Sequence, residues 1–177
     1  IGSDDYAERR YRSFRFGYAD AYAAELYGDL HAAGPTVIAS QYSRLFLDLN
    51  RRRDDFECEG GEVRSQKGVF RTHTIHDKRV LAAPLSEAQA EARLEAYYDP
   101  YYTAVKRHAG RLQERFTNVV IVDGHTGSPR RLEGHAIVLG TGRGKYCDPE
   151  LAALARSEEH TSELQVTVPY LVCRLLL

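Results

Sequence analysis

The sequence predicts an α/β fold with a mixed, mostly parallel sheet flanked by helices. One observation behind this prediction is a stripe of apolar residues at helical spacing, formed by Tyr102, Val105, Ala109, Leu112 and Phe116. A short β-branched run, residues 118–122, follows that stripe and is typical of a buried parallel strand. A second apolar run at 136–139 precedes a helix start at Pro149, and this alternation of helices and strands indicates an α/β domain.

Composition places the chain among ordinary globular proteins. Its 177 residues are 43% hydrophobic and 28% charged, with a formal net charge of -1. This charge gives no reason to expect nucleic acid or an anionic membrane surface as a partner. The three cysteines lack CxxC spacing, which argues against a disulfide framework or a cysteine zinc site, so a cytoplasmic location is expected. No apolar run reaches the length of a membrane span.

The two ends of the sequence suggest an incomplete domain. The chain contains no methionine and opens on Ile1, which predicts a fragment or a processed piece. We expect a partial domain at 1–155 and a non-native tail at 156–177, because RSEEHTSELQ and LVCRLLL resemble translated sequencing-adaptor read-through. The alternative is a genuine C-terminal strand in VTVPYLVCRLLL, which has suitable β-propensity.

The first predicted elements are a helix and a strand. Residues 18–30 have helical periodicity, with Tyr22, Leu26 and Leu30 on one face, and Gly34-Pro35 ends the helix. Apolar residues then alternate through 37–53, which predicts a strand. This strand would bring four polar residues together at a sheet edge: Arg44, Asp48, Asn50 and Arg51. Two interpretations stay open, an arginine grip for an anion or an arginine that pairs with Asp48 to fix a loop.

The middle of the chain predicts a loop, a hairpin and two helices. Residues 54–68 are acidic and glycine-containing, which favours a loop, and 69–81 alternate weakly around a possible turn at Asp77-Lys78. His73 and His76 would point to opposite faces of an extended segment, so we do not expect them to form a metal pair. Ser86 with Gln89 forms a capping box for one helix, and Pro100 is expected to open the next.

Two loops after the predicted strands are candidate binding sites. His125 follows the run 118–122, and ligands of open α/β sheets collect beyond the carboxyl ends of strands. The glycine cluster at 140–144 could cradle an anion. It lacks both the GxGxxG spacing and the P-loop lysine, so a nucleotide site is disfavoured.

Five segments together resemble the N-formylglutamate amidohydrolase family. They are YADAYAAELY, YSRLFLDLNR, LSEAQAEARLEAYYDPYY, VIVDGHTGSP and AIVLGTGRGKYCDPEL, and they span about residues 18–155. The most specific match is YSRLFLDLNR to the family pattern Y-S-R-x-x-x-D-L-N-R. The resemblance implies a zinc hydrolase with a fold related to the zinc carboxypeptidases. Such an enzyme would cleave N-formyl-L-glutamate to formate and glutamate in histidine degradation, with this small-molecule substrate as its partner.

The resemblance also implies roles for individual residues. His125 and Asp20 match a zinc-ligand histidine and a carboxylate ligand, so Zn²⁺ is the expected cofactor. Arg51, beside Asn50, would bind a substrate carboxylate, and Arg44 would bind the substrate or stabilise the oxyanion of the reaction. A zinc ion with one open position supplies hydroxide at neutral pH for attack on the formyl carbonyl.

Departures from the family pattern lower the expected activity. The P-H-[SA]-G motif, with its zinc-ligand histidine, is absent, and the general base would belong to a C-terminal part that the tail replaces. The family's P-Y-H reads Pro100-Tyr101-Tyr102 here. We therefore expect this polypeptide to bind zinc poorly and to have little or no deformylase activity.

A second interpretation is a non-catalytic binding module. In it, Arg51-Arg52-Arg53 and Arg130-Arg131 would grip phosphate or nucleic acid. The near-zero net charge argues against this interpretation.

Overall fold

The computed structural model describes residues 6–14, 19–126, 137–143, 145, 147–159 and 171–176. The chain divides into two compact units. The first consists of Ile1–Ala19 and Ile38–Arg107, and the second of Asp20–Val37 and His108–Leu177. Helices and strands occur together, which confirms the mixed α/β class, whereas the zinc-carboxypeptidase-like topology stays a prediction.

Four α-helices and five strands are described. The helices are α1 (Ala23–Gly28), α2 (Glu87–Arg93), α3 (Asp99–Gln113) and α4 (Pro149–Glu159). The strands are β1 (Cys58–Glu59), β2 (Glu62–Val63), β3 (Ile121–Thr126), β4 (Ile137–Gly140) and β5 (Leu171–Leu176).

The first unit is organised around one apolar core. Its buried members come from residues distributed between positions 47 and 98: Leu47, Val63, Val69, Phe70, Leu85, Ala90, Leu94 and Tyr98. A smaller buried cluster contains Tyr6, Tyr11, Leu45 and Val80. Leu45 and Leu47 lie in different clusters, so the YSRLFLDLNR segment contributes to both.

The start of α2 confirms the predicted capping box. The Ser86 hydroxyl accepts the backbone N–H of Gln89, and the Gln89 side chain accepts the backbone N–H of Ser86. The prediction that a separate helix begins at Pro100 is wrong in one respect. A π-helical segment, Leu94–Tyr98, joins α2 to α3, and the Asp99 N–H bonds to the Leu94 carbonyl. The backbone is therefore already helical before Pro100, which is the second residue of α3 and not its first.

The predicted strand at 37–53 is wrong. No strand forms there, because the N–H groups of Phe46 and Leu47 both bond locally to the Ser43 carbonyl. The Asp48 N–H bonds to the Val69 carbonyl, in a contact with a distant loop. The polar residues of this segment do come together, but on a turn and not at a sheet edge.

The predicted loop at 54–68 contains a hairpin. Cys58 pairs with Val63 across β1 and β2, and Gly60-Gly61 form the turn with φ angles of 61° and 81°. Consecutive positive φ values are typical of a two-residue hairpin turn, which glycine adopts without strain. The turn predicted at Asp77-Lys78 is confirmed, since the Asp77 and Thr74 backbones are hydrogen-bonded and Asp77 has a φ of 59°.

The apolar faces predicted for two helices are less buried than expected. The helix predicted for 18–30 is limited to α1 and a 3₁₀ turn over Asp29–Ala33, ended as predicted by Gly34 with a φ of 106°. Tyr22 and Leu30 are 61% and 45% exposed, so the predicted apolar face is not buried. The stripe on α3 is half-buried, and Phe116 lies beyond the end of that helix, 52% exposed.

The described sheet of the second unit is mixed, with the strand order β3-β5-β4. β3 is antiparallel to β5 and β4 is parallel to it, so the described sheets are not mostly parallel. The buried parallel strand predicted at 118–122 is instead β3, which begins at Ile121 and leaves Val122 53% exposed. β5 lies within 156–177, and a strand there is compatible with both interpretations of that segment. The boundary at residue 155 stays a prediction.

Candidate functional site

Three arginines of the first unit converge on the carboxylate of Asp48. Arg44 donates from Nε to Oδ1 at 3.1 Å and from Nη2 to Oδ2 at 2.9 Å. Arg71 Nη2 lies 3.2 Å from the same Oδ2, and Arg51 Nε lies 3.8 Å from it. Asp48 also accepts the backbone N–H of Asn50 at 3.1 Å. The residues predicted to lie together are therefore grouped around one carboxylate.

Burial differs between the members of this cluster. Asp48 is fully buried, whereas the side chains of Arg44 and Arg51 are 27% and 41% exposed. Two nitrogens of Arg44 donate to Asp48, which is the contact that the loop-fixing interpretation predicts. Arg51 contacts Asp48 at a longer distance and its side chain is more exposed than that of Arg44, so it is better suited to bind a small anion.

Sequence reasoning missed Arg71. It lies 23 residues after Asp48, and its side chain is 13% exposed. No spacing rule links two residues on different loops, so local pattern carried no signal for this contact.

In the second unit, Asp20 and His125 are in direct contact. Nδ1 of His125 lies 2.8 Å from Asp20 Oδ2, although the two residues are 105 positions apart. Nε2 of the same ring lies 3.0 Å from Asp123 Oδ2. Two hydrogen bonds, one to Asp123 with the larger effect and one to Asp20, raise the pKa of His125 to about 9, although burial acts to lower it. The imidazolium form therefore donates to a carboxylate on each side of the ring.

Strand β3 fixes the position of His125. Asp123 and His125 are two residues apart on this strand, so their side chains lie on the same face. The Tyr27 hydroxyl donates to the His125 carbonyl at 3.3 Å, and the Thr126 hydroxyl donates to the Ala21 carbonyl at 2.8 Å. These contacts join β3 to α1 and to the residues before it. Asp123 could have been found from the sequence, since it precedes the histidine by two residues in the D-G-H triplet.

Gly124 allows the close approach of Tyr27 to β3. A Cβ atom at this position would lie 2.6 Å from the Tyr27 ring. The glycine of the D-G-H triplet therefore has a packing role in addition to any effect on the strand end. Gly127 of the same motif, and Arg130-Arg131 of the binding-module interpretation, lie outside the described residues.

The donor types at His125 suit zinc, but their number does not. Catalytic zinc sites use three protein ligands of nitrogen, oxygen or sulfur type. Asp20 and Nδ1 of His125 could meet on one ion, while Asp123 contacts the opposite side of the ring. The described residues contain no group of three histidine, cysteine or carboxylate side chains that could hold a metal ion. They therefore do not complete a zinc site.

A sequence model of the N-formylglutamate amidohydrolase family matches residues 5–170. The chain belongs to this family. This match confirms the family that the sequence motifs indicated. Among curated members of the N-formylglutamate amidohydrolase family, the chain is similar to the N-formylglutamate deformylase of Pseudomonas putida, with 29% identity over 140 residues, 75% of this chain and 51% of the relative.

A second relative gives the same result. The N-formylglutamate deformylase of Pseudomonas aeruginosa is 30% identical over 142 residues, which are 76% of this chain and 52% of the relative. The chain thus spans about half the length of the two curated relatives. No solved structure matches the chain significantly.

Outside these two groups, the first unit has a cavity of about 520 Å³ that includes His73 in its lining. Burial lowers the pKa of His73, with smaller effects from its charged neighbours, among which Asp77 raises it and Arg64 lowers it. Arg64 forms ion pairs with Asp77 and Glu59, which also line the cavity. His76 is exposed and is not among the residues that line this cavity, and the expectation that the two histidines do not form a metal pair stays a prediction.

None of the helices in the described part of the chain is long and apolar enough to cross a membrane.

Proposed function

We propose that the protein is a zinc-dependent amidohydrolase that cleaves the amide bond of N-formyl-L-glutamate or of a related N-acyl acidic amino acid. Family membership and the names of the two Pseudomonas relatives support this proposal. The observation that carries it is the 2.8 Å contact between Asp20 and His125, the two residues to which the family resemblance assigns the metal. A carboxylate and an imidazole that meet across 105 residues are a suitable start for a metal centre.

On the substrate side, the proposal gives Asn50 and Arg51 the task of binding a carboxylate. The partly exposed side chain of Arg51 suits this task because guanidinium and carboxylate groups form paired, charge-assisted hydrogen bonds. Arg44 would reach the substrate only through N–H groups that do not contact Asp48. Asp48 itself, fully buried, orients the arginines and does not contact substrate.

On the metal side, the proposal assigns two of the zinc ligands to Asp20 and His125. A further ligand and the general base would come from residues outside the described set. The departures from the family pattern and the two donors among the described residues lead us to propose that the 177-residue chain by itself binds zinc poorly and has low activity, since two donors hold zinc more weakly than three.

The test is formate release from N-formyl-L-glutamate by the 177-residue chain with excess zinc. We expect slow release at most, and we expect it to disappear when a chelator is added. The His125→Asn variant should be inactive, while the control His31→Asn, which changes an exposed histidine of the same unit, should match the unmodified chain. Turnover that survives the chelator, or that survives in His125→Asn, would contradict the proposal.

The binding-module interpretation receives less support. Arg52 pairs with Asp54, and Arg53 pairs with both Glu91 and Asp99. Carboxylates that already neutralise these guanidinium groups reduce the positive charge available to a phosphate backbone.

A further inference from the structure

Two tyrosine hydroxyls hold the backbone on both sides of Asn50. The Tyr102 hydroxyl donates to the Leu49 carbonyl at 2.6 Å, and the Tyr98 hydroxyl donates to the Arg51 carbonyl at 2.8 Å. The N–H of Asn50 donates to Asp48 Oδ1 at 3.1 Å. Side chains thus bind one polar backbone group in each of three successive residues of a turn that lies outside any strand or helix.

The two tyrosines form a rigid support. They are four residues apart at the junction of the π-helical segment and α3, and their ring centroids lie 4.6 Å apart. Tyr98 is only 8% exposed, and burial raises the pKa of its phenol, so the hydroxyl stays a proton donor. Arg53 further ties this turn to the helices through ion pairs with Glu91 and Asp99.

These contacts fix the backbone while one side chain of the turn, that of Arg51, stays partly exposed. The Arg51 side chain is 41% exposed, and its ion pair with Asp48 is long, at 3.8 Å. A fixed backbone reduces the conformational entropy that an arginine loses when it binds a ligand. The arrangement therefore suits a preorganised carboxylate site.

We propose that Tyr98 and Tyr102 are positioning residues that hold the Asn50-Arg51 pair in its carboxylate-binding geometry. This inference rests on the proposed function, which assigns that pair to the substrate. It also explains Tyr102, which stands where the family pattern P-Y-H has a histidine. An imidazole N–H can donate to a backbone carbonyl as a phenol does, so the substitution keeps a donor at this position.

The test is a titration of the 177-residue chain with N-formyl-L-glutamate. Binding is measured by calorimetry and by the shifts of the NMR signals of the Asn50 and Arg51 side chains. Tyr102→Phe, which removes the hydroxyl, should weaken binding about threefold to tenfold, the equivalent of one hydrogen bond. Tyr102→His, which restores the family residue, should bind within about twofold of the unmodified chain. Tyr97→Phe is the matched control on the same helical segment, where the ring that packs on Phe46 is kept, and it should have no effect.

Tyr98→Phe provides a second variant in case Tyr102→Phe does not fold, and it should weaken binding similarly. Thermal unfolding curves show whether each variant is folded at the titration temperature. The inference is overturned if the unmodified chain does not bind the ligand, if the folded phenylalanine variants bind as well as it does, or if Tyr102→His binds no better than Tyr102→Phe. Binding that follows the expected order, together with formate release that survives a chelator, would refute the proposed zinc-dependent hydrolysis and support the positioning role.

Discussion

Asp48 is the residue on which the YSRLFLDLNR segment depends most. Its carboxylate is fully buried and accepts hydrogen bonds from Arg44, from Arg71 and from the Asn50 backbone. A buried carboxylate is tolerated only when charge partners and hydrogen bonds replace its hydration. The conformation of this turn is therefore coupled to the charge of one side chain.

Replacement of Asp48 by asparagine should be severely destabilising. The change keeps the shape of the side chain but leaves partly buried guanidinium groups without their counter-charge, which costs about 3–5 kcal/mol in comparable cases. Urea unfolding measures the loss. The control Asp54→Asn, which removes an exposed partner of Arg52, should cost less than about 1 kcal/mol. Equal stabilities of the two variants would show that Asp48 does not hold the turn.

At the scale of the elements, two glycines should respond in opposite ways to the same substitution. Gly124→Ala in β3 places a Cβ atom 2.6 Å from the Tyr27 ring, so the ring must move and weaken its bond to the His125 carbonyl. We expect a loss of about 1–3 kcal/mol. Gly110→Ala in α3 meets no atom within 4 Å and should stabilise the protein by up to about 1 kcal/mol through helix propensity.

Chemical or thermal unfolding of the two alanine variants checks this prediction. A Gly124→Ala protein as stable as the unmodified chain would mean that Tyr27 does not pack on β3. A destabilised Gly110→Ala protein would mean that the open face of α3 is covered by other residues.

Elements with local signals were predictable from the sequence. The capping box at Ser86, the end of the first helix at Gly34 and the start of α4 near Pro149 depend on residues within one turn. The hairpin turn at Gly60-Gly61 had such a signal as well, but the acidic composition around it favoured a loop. The segment 37–53 alternates like a strand and yet forms turns, because its partners, such as Val69 and Arg71, lie on a distant loop.

At the scale of the whole molecule, the site was predictable only in part. The family resemblance singled out Asp20 and His125, and their contact in the second unit is consistent with that choice. The tyrosine contacts to Leu49 and Arg51 were not foreseen, because they depend on how the helix faces are oriented in three dimensions. Periodicity gives the face of an element, but it does not give the partner of that face.

Zinc titration of the 177-residue chain by calorimetry tests the central claim most directly, namely that Asp20 and His125 face the same metal ion. We expect weak binding that is abolished in both Asp20→Asn and His125→Asn and is retained in the control His31→Asn. Zinc binding of equal strength in all four proteins, or no zinc binding by the unmodified chain, would contradict the claim.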